Sequence, residues 1–339
     1  MNILITGAWN HTSAQRQTLE RMGHTVLFLQ NEQDALPVPY EEVEGVICNG
    51  LFLHHPIERF TNLQYIQVTS AGLDRVPVAY VQEHGIQLFN ARGVYSIPMA
   101  EFALAGVLQL YKQAAFFHEN QKEHRWNKHR GLLELYGKTV CILGCGNVGT
   151  ECAKRFRAFG CRVIGVDQSV WETPDYDEML LQEQLPRAAQ QADVLVVTVA
   201  LTEQTRGMIN AALLNATKPG CVIVNLSRGA VVDTAALAKA LRDKKVSAVL
   251  DVFDEEPLAA DHPLWEMDNV VLTPHNSFVG DGNADRLWGV IYGNLKELYL
   301  QELNEIFHGN EETINSFIES LEHPETLHTL TSWDDLFDS

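Results

Sequence analysis

The chain has 339 residues, enough for about two domains of roughly 100–200 residues each, so it can bury sizeable cores without staples and a small disulfide- or metal-held module is excluded. Its composition is ordinary for a soluble globular protein: 46% hydrophobic, 20% charged and 9% aromatic. With 25 basic against 44 acidic residues the formal charge is -19, which argues against nonspecific binding to nucleic acid or an anionic membrane, since both need a basic face to displace counterions.

The opening, MNILITGAWN, has no cationic segment ahead of an apolar stretch and no small-residue cleavage site, so it reads as a first β-strand rather than a signal peptide. The β-rich runs TVLFLQ, GVICNG, YIQVTSAG and IQLFNA follow, separated by amphipathic stretches such as TSAQRQTLERMGH. That alternation predicts parallel strands joined by crossover helices. The segment IPMAEFALAGVLQLYKQAAFFHENQKEHRW is helical in period and long enough to bridge two domains, which puts the first crossing near Ile97. A second series starts at 139 with TVCILGCG, RVIGVD, DVLVVTVA, CVIVNLS, SAVLDVF and VVLTPH, spaced about 23 to 31 residues apart as βα units are. Past Pro274 comes a Gly and Asn break, then a helix of apolar period whose expected partner is the first domain.

The predicted class is therefore α/β, with two doubly wound parallel-sheet domains. Residues 1–97 and 283–307 form one discontinuous domain, residues 98–282 are inserted into it across a cleft, and 308–339 is an acidic extension. The densest apolar run, ADVLVVTVAL at 192–201, is strand-length and short of the ~18 residues of a membrane span, so the protein is expected to be soluble and cytoplasmic. Cys48, Cys141, Cys145, Cys152, Cys161 and Cys221 lack the paired C-x-x-C spacing of a zinc site; they are expected to be reduced packing residues, with no metal bound. Residues 301–339 hold ten acidic residues and no Lys or Arg. That stretch is either a solvated tail or weakly docked helix, or an acidic segment that binds a partner through Trp333 and Phe337.

In TVCILGCGNVGTECAKRFRAFG, Gly144, Gly146 and Gly149 have G-x-G-x-x-G spacing between a β-run and a helical pattern starting near Asn147. In that context the first glycine makes a tight turn, the second lets a pyrophosphate approach the backbone, and the third lets the helix pack on the strand. Asp167 closes the next strand eighteen residues after Gly149, where a carboxylate accepts hydrogen bonds from the adenosine ribose. NAD is favoured over NADP, because a 2′-phosphate would be repelled there and Gln168 stands where an Arg would help it.

Three later strands end in reactive residues: Arg228 in NLSRGAVVD, Glu256 in LDVFDEEPL and His275 in LTPHNS. Ligands of open parallel sheets bind beyond the carboxyl ends of the strands, so all three can face one site beside a nicotinamide. Reducing a 2-keto acid needs a cation for its carboxylate and keto oxygen, a task for the planar fork of Arg228. It also needs a proton donor as hydride reaches C2, which a histidine oriented by a carboxylate supplies, making His275 and Glu256 an acid pair.

Taken together, SAGLDRVP at 70–77, NARGVYSIPMAEFAL at 90–104, ELYGKTVCILGCGNVG at 134–149, SRGAVVD at 227–233, LDVFDEEPL at 250–258 and TPHNS at 273–277 resemble the D-isomer-specific 2-hydroxyacid dehydrogenase family. The family includes phosphoglycerate, D-lactate and glyoxylate or hydroxypyruvate members, and the likeness covers roughly residues 1–305. It implies a Rossmann NAD-binding domain inserted into a flavodoxin-like substrate domain. It also implies that Arg228 binds the substrate carboxylate and polarises the keto group, while His275, paired to Glu256, is the acid and base. Asn147 and Val148 would contact pyrophosphate, Val199 adenosine, Asp251 the nicotinamide carboxamide, Leu226 and Ser227 the nicotinamide ribose, and Met99 the nicotinamide itself. The backbone after His275 would meet the cofactor's far end. Ser70, Ala71 and Gly72 match the loop whose amides hold the substrate carboxylate.

Homodimerisation through the second domain and the segment near 100–135 is implied by the resemblance alone. Relatives that act as NAD-sensing transcriptional co-repressors supply an alternative function. The chain departs from the family pattern at Ala200, where a proline is usual, and at Asn276, Ser277 and Phe278, where small apolar residues or glycines are common. Glu256 separates it from the formate-oxidising branch, which carries an amide there. Leu51 and Phe52, with Trp288 from the returning helix, are pocket candidates, and Arg75 is the one cation near SAGLDRVP available to a phosphorylated substrate.

Overall fold

A computed structural model describes residues 1–306; the acidic extension, with Trp333 and Phe337, lies outside the described residues. The chain divides into two compact units, one of Met1–Val94 with the segment from Asp281 onward, the other of Tyr95–Gly280.

The first unit contains β1 (Asn2–Thr6), α1 (Ser13–Arg21), β2 (Thr25–Leu29), β3 (Gly45–Cys48), β4 (Tyr65–Val68), α2 (Val78–Glu83) and β5 (Gln87–Phe89). The five strands form one parallel sheet in the order β2-β1-β3-β4-β5, the flavodoxin-like doubly wound order with its switch point between β1 and β3. Alternation along each strand feeds two faces. Leu4, Val46, Cys48, Ile66 and Val68 pack on Leu51, Ile57, Phe60 and Val81, while buried Gln67 points to the other face.

The second unit begins with α3 (Ser96–Tyr111) and α4 (Ala114–Lys122). The single long helix expected from residue 97 is thus two: Gln113 sits at φ 52°, a left-handed conformation that no α-helix tolerates. Then come β6 (Thr139–Leu143), α5 (Asn147–Ala158), β7 (Arg162–Asp167), β8 (Glu178–Leu181), α6 (Leu185–Gln191), β9 (Val194–Val197), α7 (Ala211–Ala216), β10 (Cys221–Asn225), α8 (Thr234–Arg242), β11 (Val246–Leu250) and β12 (Val270–Leu272).

All seven strands of this unit are parallel, in the order β12-β11-β10-β9-β6-β7-β8, a Rossmann sheet with one added edge strand. Central strands read as continuous apolar runs because both faces are covered. Cys141, Leu143, Leu195, Val197 and Ile223 share one core with α6, α7 and α8, whereas Val140, Ile142, Val194, Val196 and Val224 share the other with α3 and α5. β8 falls in YDEMLLQEQL, which the sequence reading did not assign to a strand.

The chain then returns to the first unit as α9 (Asn283–Ile306). Ile291 and Leu295 are fully buried, and the Asn294 side-chain amide donates to Gln67 Oε1 at 2.7 Å, so this helix seals the face of β4 that carries Gln67. Among the described residues no helix is long and apolar enough to cross a membrane.

Candidate active site

At the carboxyl end of β6, Gly144 has φ +94°, and a Cβ there would lie 2.8 Å from the Val199 amide nitrogen. Val199 therefore rests directly over the turn despite Ala200 after it. A Cβ on Gly149 would stand 2.0 Å from the Gly144 carbonyl oxygen, so only glycine lets α5 begin this close to the strand. By contrast, nothing lies within 4 Å of a Cβ on Gly146. Thr198, which the sequence reading passed over, braces the turn by donating its hydroxyl to the Gly144 carbonyl at 2.7 Å.

The Asp167 carboxylate accepts from the Cys145 amide at 2.6 Å and the Gln168 amide at 2.7 Å, which fixes it against the glycine loop. An open cradle over Gly146, the donor-rich N-terminus of α5 and a clamped carboxylate at the next strand end fit a dinucleotide. Asn147 is exposed at the start of α5, while Val148 and Met99 are half-buried against the core beneath it.

The adjacent strands β10, β11 and β12 bring the catalytic candidates to one sheet edge. Asn225 pairs in register with Leu250 and Leu250 with Leu272, so Arg228, the segment from Asp251 to Glu256, and His275 all emerge from neighbouring carboxyl ends. His275 Nδ1 lies 2.8 Å from Glu256 Oε2, and Glu256 Oε1 accepts from the Phe253 amide at 3.0 Å. An ionised carboxylate only accepts, so Nδ1 carries the proton and Nε2 is the end left to face a substrate. The imidazole side chain is 42% exposed, so a ligand can reach it.

His275 occupies φ 51°, a left-handed conformation uncommon outside glycine. Asp251 holds it there. The Asp251 carbonyl accepts from the His275 amide at 2.8 Å, and its carboxylate accepts from the Thr273 hydroxyl at 2.6 Å and from the amides of Asn276 at 2.8 Å and Ser277 at 3.0 Å. Asp251 is fully buried, and its carboxylate is engaged by the His275 turn.

Arg228 is held by a residue the sequence reading did not single out. Asn225, 1% exposed, accepts from the Ser227 amide at 3.1 Å and hydroxyl at 3.0 Å through Oδ1, and donates through Nδ2 to the Arg228 carbonyl at 3.0 Å. Arg228 Nη1 donates to the Ser227 carbonyl at 2.9 Å. Leu226 is 2% exposed and belongs to the core. An Asn followed two residues later by Ser at a strand end is a local turn signal that would have marked the clamp.

In the first unit, the carbonyls of Ser70, Ala71 and Gly72 accept respectively from the Ala91 amide at 2.9 Å, the Asn90 side-chain amide at 2.8 Å and the Ser70 hydroxyl at 2.9 Å. Among the described residues, none of the three amides of this loop donates to a protein acceptor. Leu51 corrects an expectation: it has no exposed surface and belongs to the core of this unit, so it lines no pocket. Phe52 is half-buried with its ring edge-on to Phe60, Trp288 stacks on Trp9 with centroids 5.7 Å apart, and Arg75 is exposed.

Burial in apolar surroundings pushes the thiols of Cys145, Cys152 and Cys221 up to about 12 and that of Cys161 to about 11, so none supplies a nucleophile at neutral pH.

Comparison with known proteins accords with this geometry. The sequence profile of the D-isomer specific 2-hydroxyacid dehydrogenase, NAD binding domain, matches residues 104–277. The chain is 32% identical over 252 residues to D-3-phosphoglycerate dehydrogenase of Methanocaldococcus jannaschii, covering 74% of this chain and 48% of that protein, so it spans about half the length of that relative. It is 36% identical over 224 residues to hydroxypyruvate reductase of Thermotoga maritima, covering 65% and 72%. The crystal structure of a D-isomer specific 2-hydroxyacid dehydrogenase from Xanthobacter autotrophicus in complex with NADPH and MES matches with a TM-score of 0.69 and 28% identity, over 84% of this chain and 91% of that one. With its second unit forming a nicotinamide-binding domain, this chain belongs to the D-isomer-specific 2-hydroxyacid dehydrogenase family.

Proposed function

We propose that the protein is an NAD-dependent oxidoreductase that interconverts a 2-keto acid and a D-2-hydroxy acid. One observation carries the reading: an imidazole bonded at 2.8 Å to a carboxylate, on the strand edge that also presents Arg228. Gly144, Gly146, Asn147, Val148, Gly149 and Asp167 would hold the dinucleotide, which when bound supplies or accepts the hydride. The Asp167 carboxylate, fixed by two amides, leaves no welcome for a 2′-phosphate and favours NAD over NADP.

In the reductive direction Arg228 binds the carboxylate and polarises the keto group through its planar fork. His275 donates its Nε2 proton to the keto oxygen, while Glu256 keeps Nδ1–H pointed away and stabilises the cationic ring beforehand. The amides of Ser70, Ala71 and Gly72, which meet no protein acceptor among the described residues, would offer further donors for a carboxylate. Met99, Val199, Leu226, Ser227 and Asp251 support the cofactor side, Asp251 by shaping the His275 turn. Homodimerisation is supported by exposed apolar surface in the segment after α4, where Trp126 is 94% and Tyr136 80% exposed.

The test is turnover of glyoxylate, pyruvate, hydroxypyruvate, 3-phosphohydroxypyruvate and branched and aromatic 2-keto acids with NADH and NADPH. Oxidation of NADH in preference to NADPH is expected with at least one acid, and His275→Ala should lower kcat by about a hundredfold or more. Turnover retained in that variant would remove His275 from the reaction.

A further inference from the structure

Within the first unit, α2, the edge strand β5 and the middle of α9 enclose a groove of about 680 Å³, lined by Val78 and Val81 of α2, Leu88 and Phe89 of β5, and Gly289 and Gly293 of α9. Its walls are mostly apolar, and the reaction proposed above makes no use of it. A Cβ on Gly289 or on Gly293 would meet nothing within 4 Å, so no described group of the unit approaches α9 at these positions. Glycine weakens a helix interior, and here the packing of the unit gives no reason for two of them. Arg92 also lines the groove; it is exposed and forms no salt bridge among the described residues.

From this we propose that the groove is the docking site of the chain's own acidic extension, seated through Trp333, Leu336 and Phe337. These three recur at i, i+3 and i+4, the anchor spacing with which an amphipathic segment fills an apolar groove, and Asp334, Asp335 and Asp338 stand between and after them. The apolar anchors match the apolar walls, the two glycines admit large rings close to the α9 backbone, and the acids match Arg92. A chain of formal charge -19 repels an acidic segment over most of its surface, so a cation without an ion partner beside an apolar groove is where such a segment gains on both counts. The tether favours this occupant over a separate one, because α9 lines the groove and runs on into the extension. Gly289 lies about 25 Å back along α9 from Ile306 at 1.5 Å per residue, whereas residues 307–332 span up to about 85 Å when extended. A segment linked in this way meets the groove at an effective concentration of about millimolar.

The test is binding of a fluorescein-labelled peptide of residues 325–339 to the full chain, read by anisotropy. In the triple variant Trp333→Ala, Leu336→Ala, Phe337→Ala the chain's own anchors are removed, and the peptide is expected to bind this variant about tenfold or more tighter than the wild type, whose own segment competes. Added to that background, Gly293→Leu puts a side chain into the groove and should weaken the peptide by about tenfold or more, while Arg92→Glu should weaken it by about threefold. Thermal unfolding checks both: Gly293→Leu should hold or raise the Tm, since leucine is the better helix former, and the exposed Arg92→Glu carries the test if it does not. No binding to the triple variant, or binding that neither groove substitution moves, overturns the proposal. Equal binding to the wild type and the triple variant overturns it by leaving the groove to a separate partner. A smaller oligomer in the triple variant, seen by light scattering, overturns docking within one chain and gives the groove to the segment of a second copy.

Discussion

Two fully or almost fully buried polar side chains, Asn225 and Asp251, hold the exposed groups that would do the chemistry. A buried amide or carboxylate is costly unless every bonding capacity is met, and here the partners are the backbone of the very turns that carry Arg228 and His275. The two clamps are linked, since the Asp251 amide donates to the Asn225 carbonyl at 3.1 Å. Replacing Asn225 with Ala removes three hydrogen bonds from the Ser227–Arg228 turn without touching the guanidinium. Asn225→Ala is expected to raise KM for the keto acid by about tenfold or more, with a smaller change in the Kd for NADH, read by steady-state kinetics and fluorescence titration. An unchanged KM would show that the turn holds its shape unaided.

At the scale of elements, the strand, turn and helix from β6 into α5 separates two demands that glycine meets. Gly149 serves the fold, because a Cβ would collide with the Gly144 carbonyl at 2.0 Å; the fold makes no such demand at Gly146, where a Cβ would project into open space and a ligand would be what needs the glycine. Gly149→Ala should therefore lower the Tm by several degrees, as overpacking costs about 1–3 kcal/mol, while Gly146→Ala should leave the Tm near the wild type. Both should weaken NADH binding, and calorimetric scanning beside NADH titration distinguishes them. Equal Tm losses would mean that Gly146 is also packed. Much of this element is legible in sequence, since spacing, β-run and helical period are all local. The break at Gln113 was not, because its period continues through the bend and only the backbone angle reveals it. β8 was equally hidden: Glu178–Leu181 is rich in helix formers and becomes a strand by pairing with β7 at the sheet edge.

For the molecule as a whole, charge and burial together set a pH limit. His24 is 6% exposed, with Tyr299 of α9 edge-on at 6.5 Å, and its buried Nε2 has no hydrogen-bond partner among the described residues. Burial, and to a lesser degree the N-terminal ammonium, pushes the imidazole down to about 4. Above the unfolded value near 6.5 the ring is neutral in both states and no cost arises. As pH falls from there, the unfolded chain takes up a proton that the folded chain refuses, so stability declines down to about pH 4 by about 3 kcal/mol in all. Urea unfolding between pH 7 and 4.5 is expected to show this decline and His24→Gln to flatten it; an equal slope in both would assign the acid sensitivity elsewhere.

Local pattern alone determined the α/β class, the glycine turn, the strand-end Asp167 and the trio Arg228, Glu256 and His275, because periodicity and strand-end position are properties of neighbouring residues. Tertiary structure decided what depends on residues far apart in the chain. Gln67 meets Asn294, Cys145 meets Asp167, and the turn after β12 closes on a carboxylate from the end of β11. It also decided the fate of ambiguous apolar side chains: Leu51 went into the core and Phe278 was left beside the imidazole. Hydrophobicity is the same for both; which of them water reaches is set by the packing of distant elements.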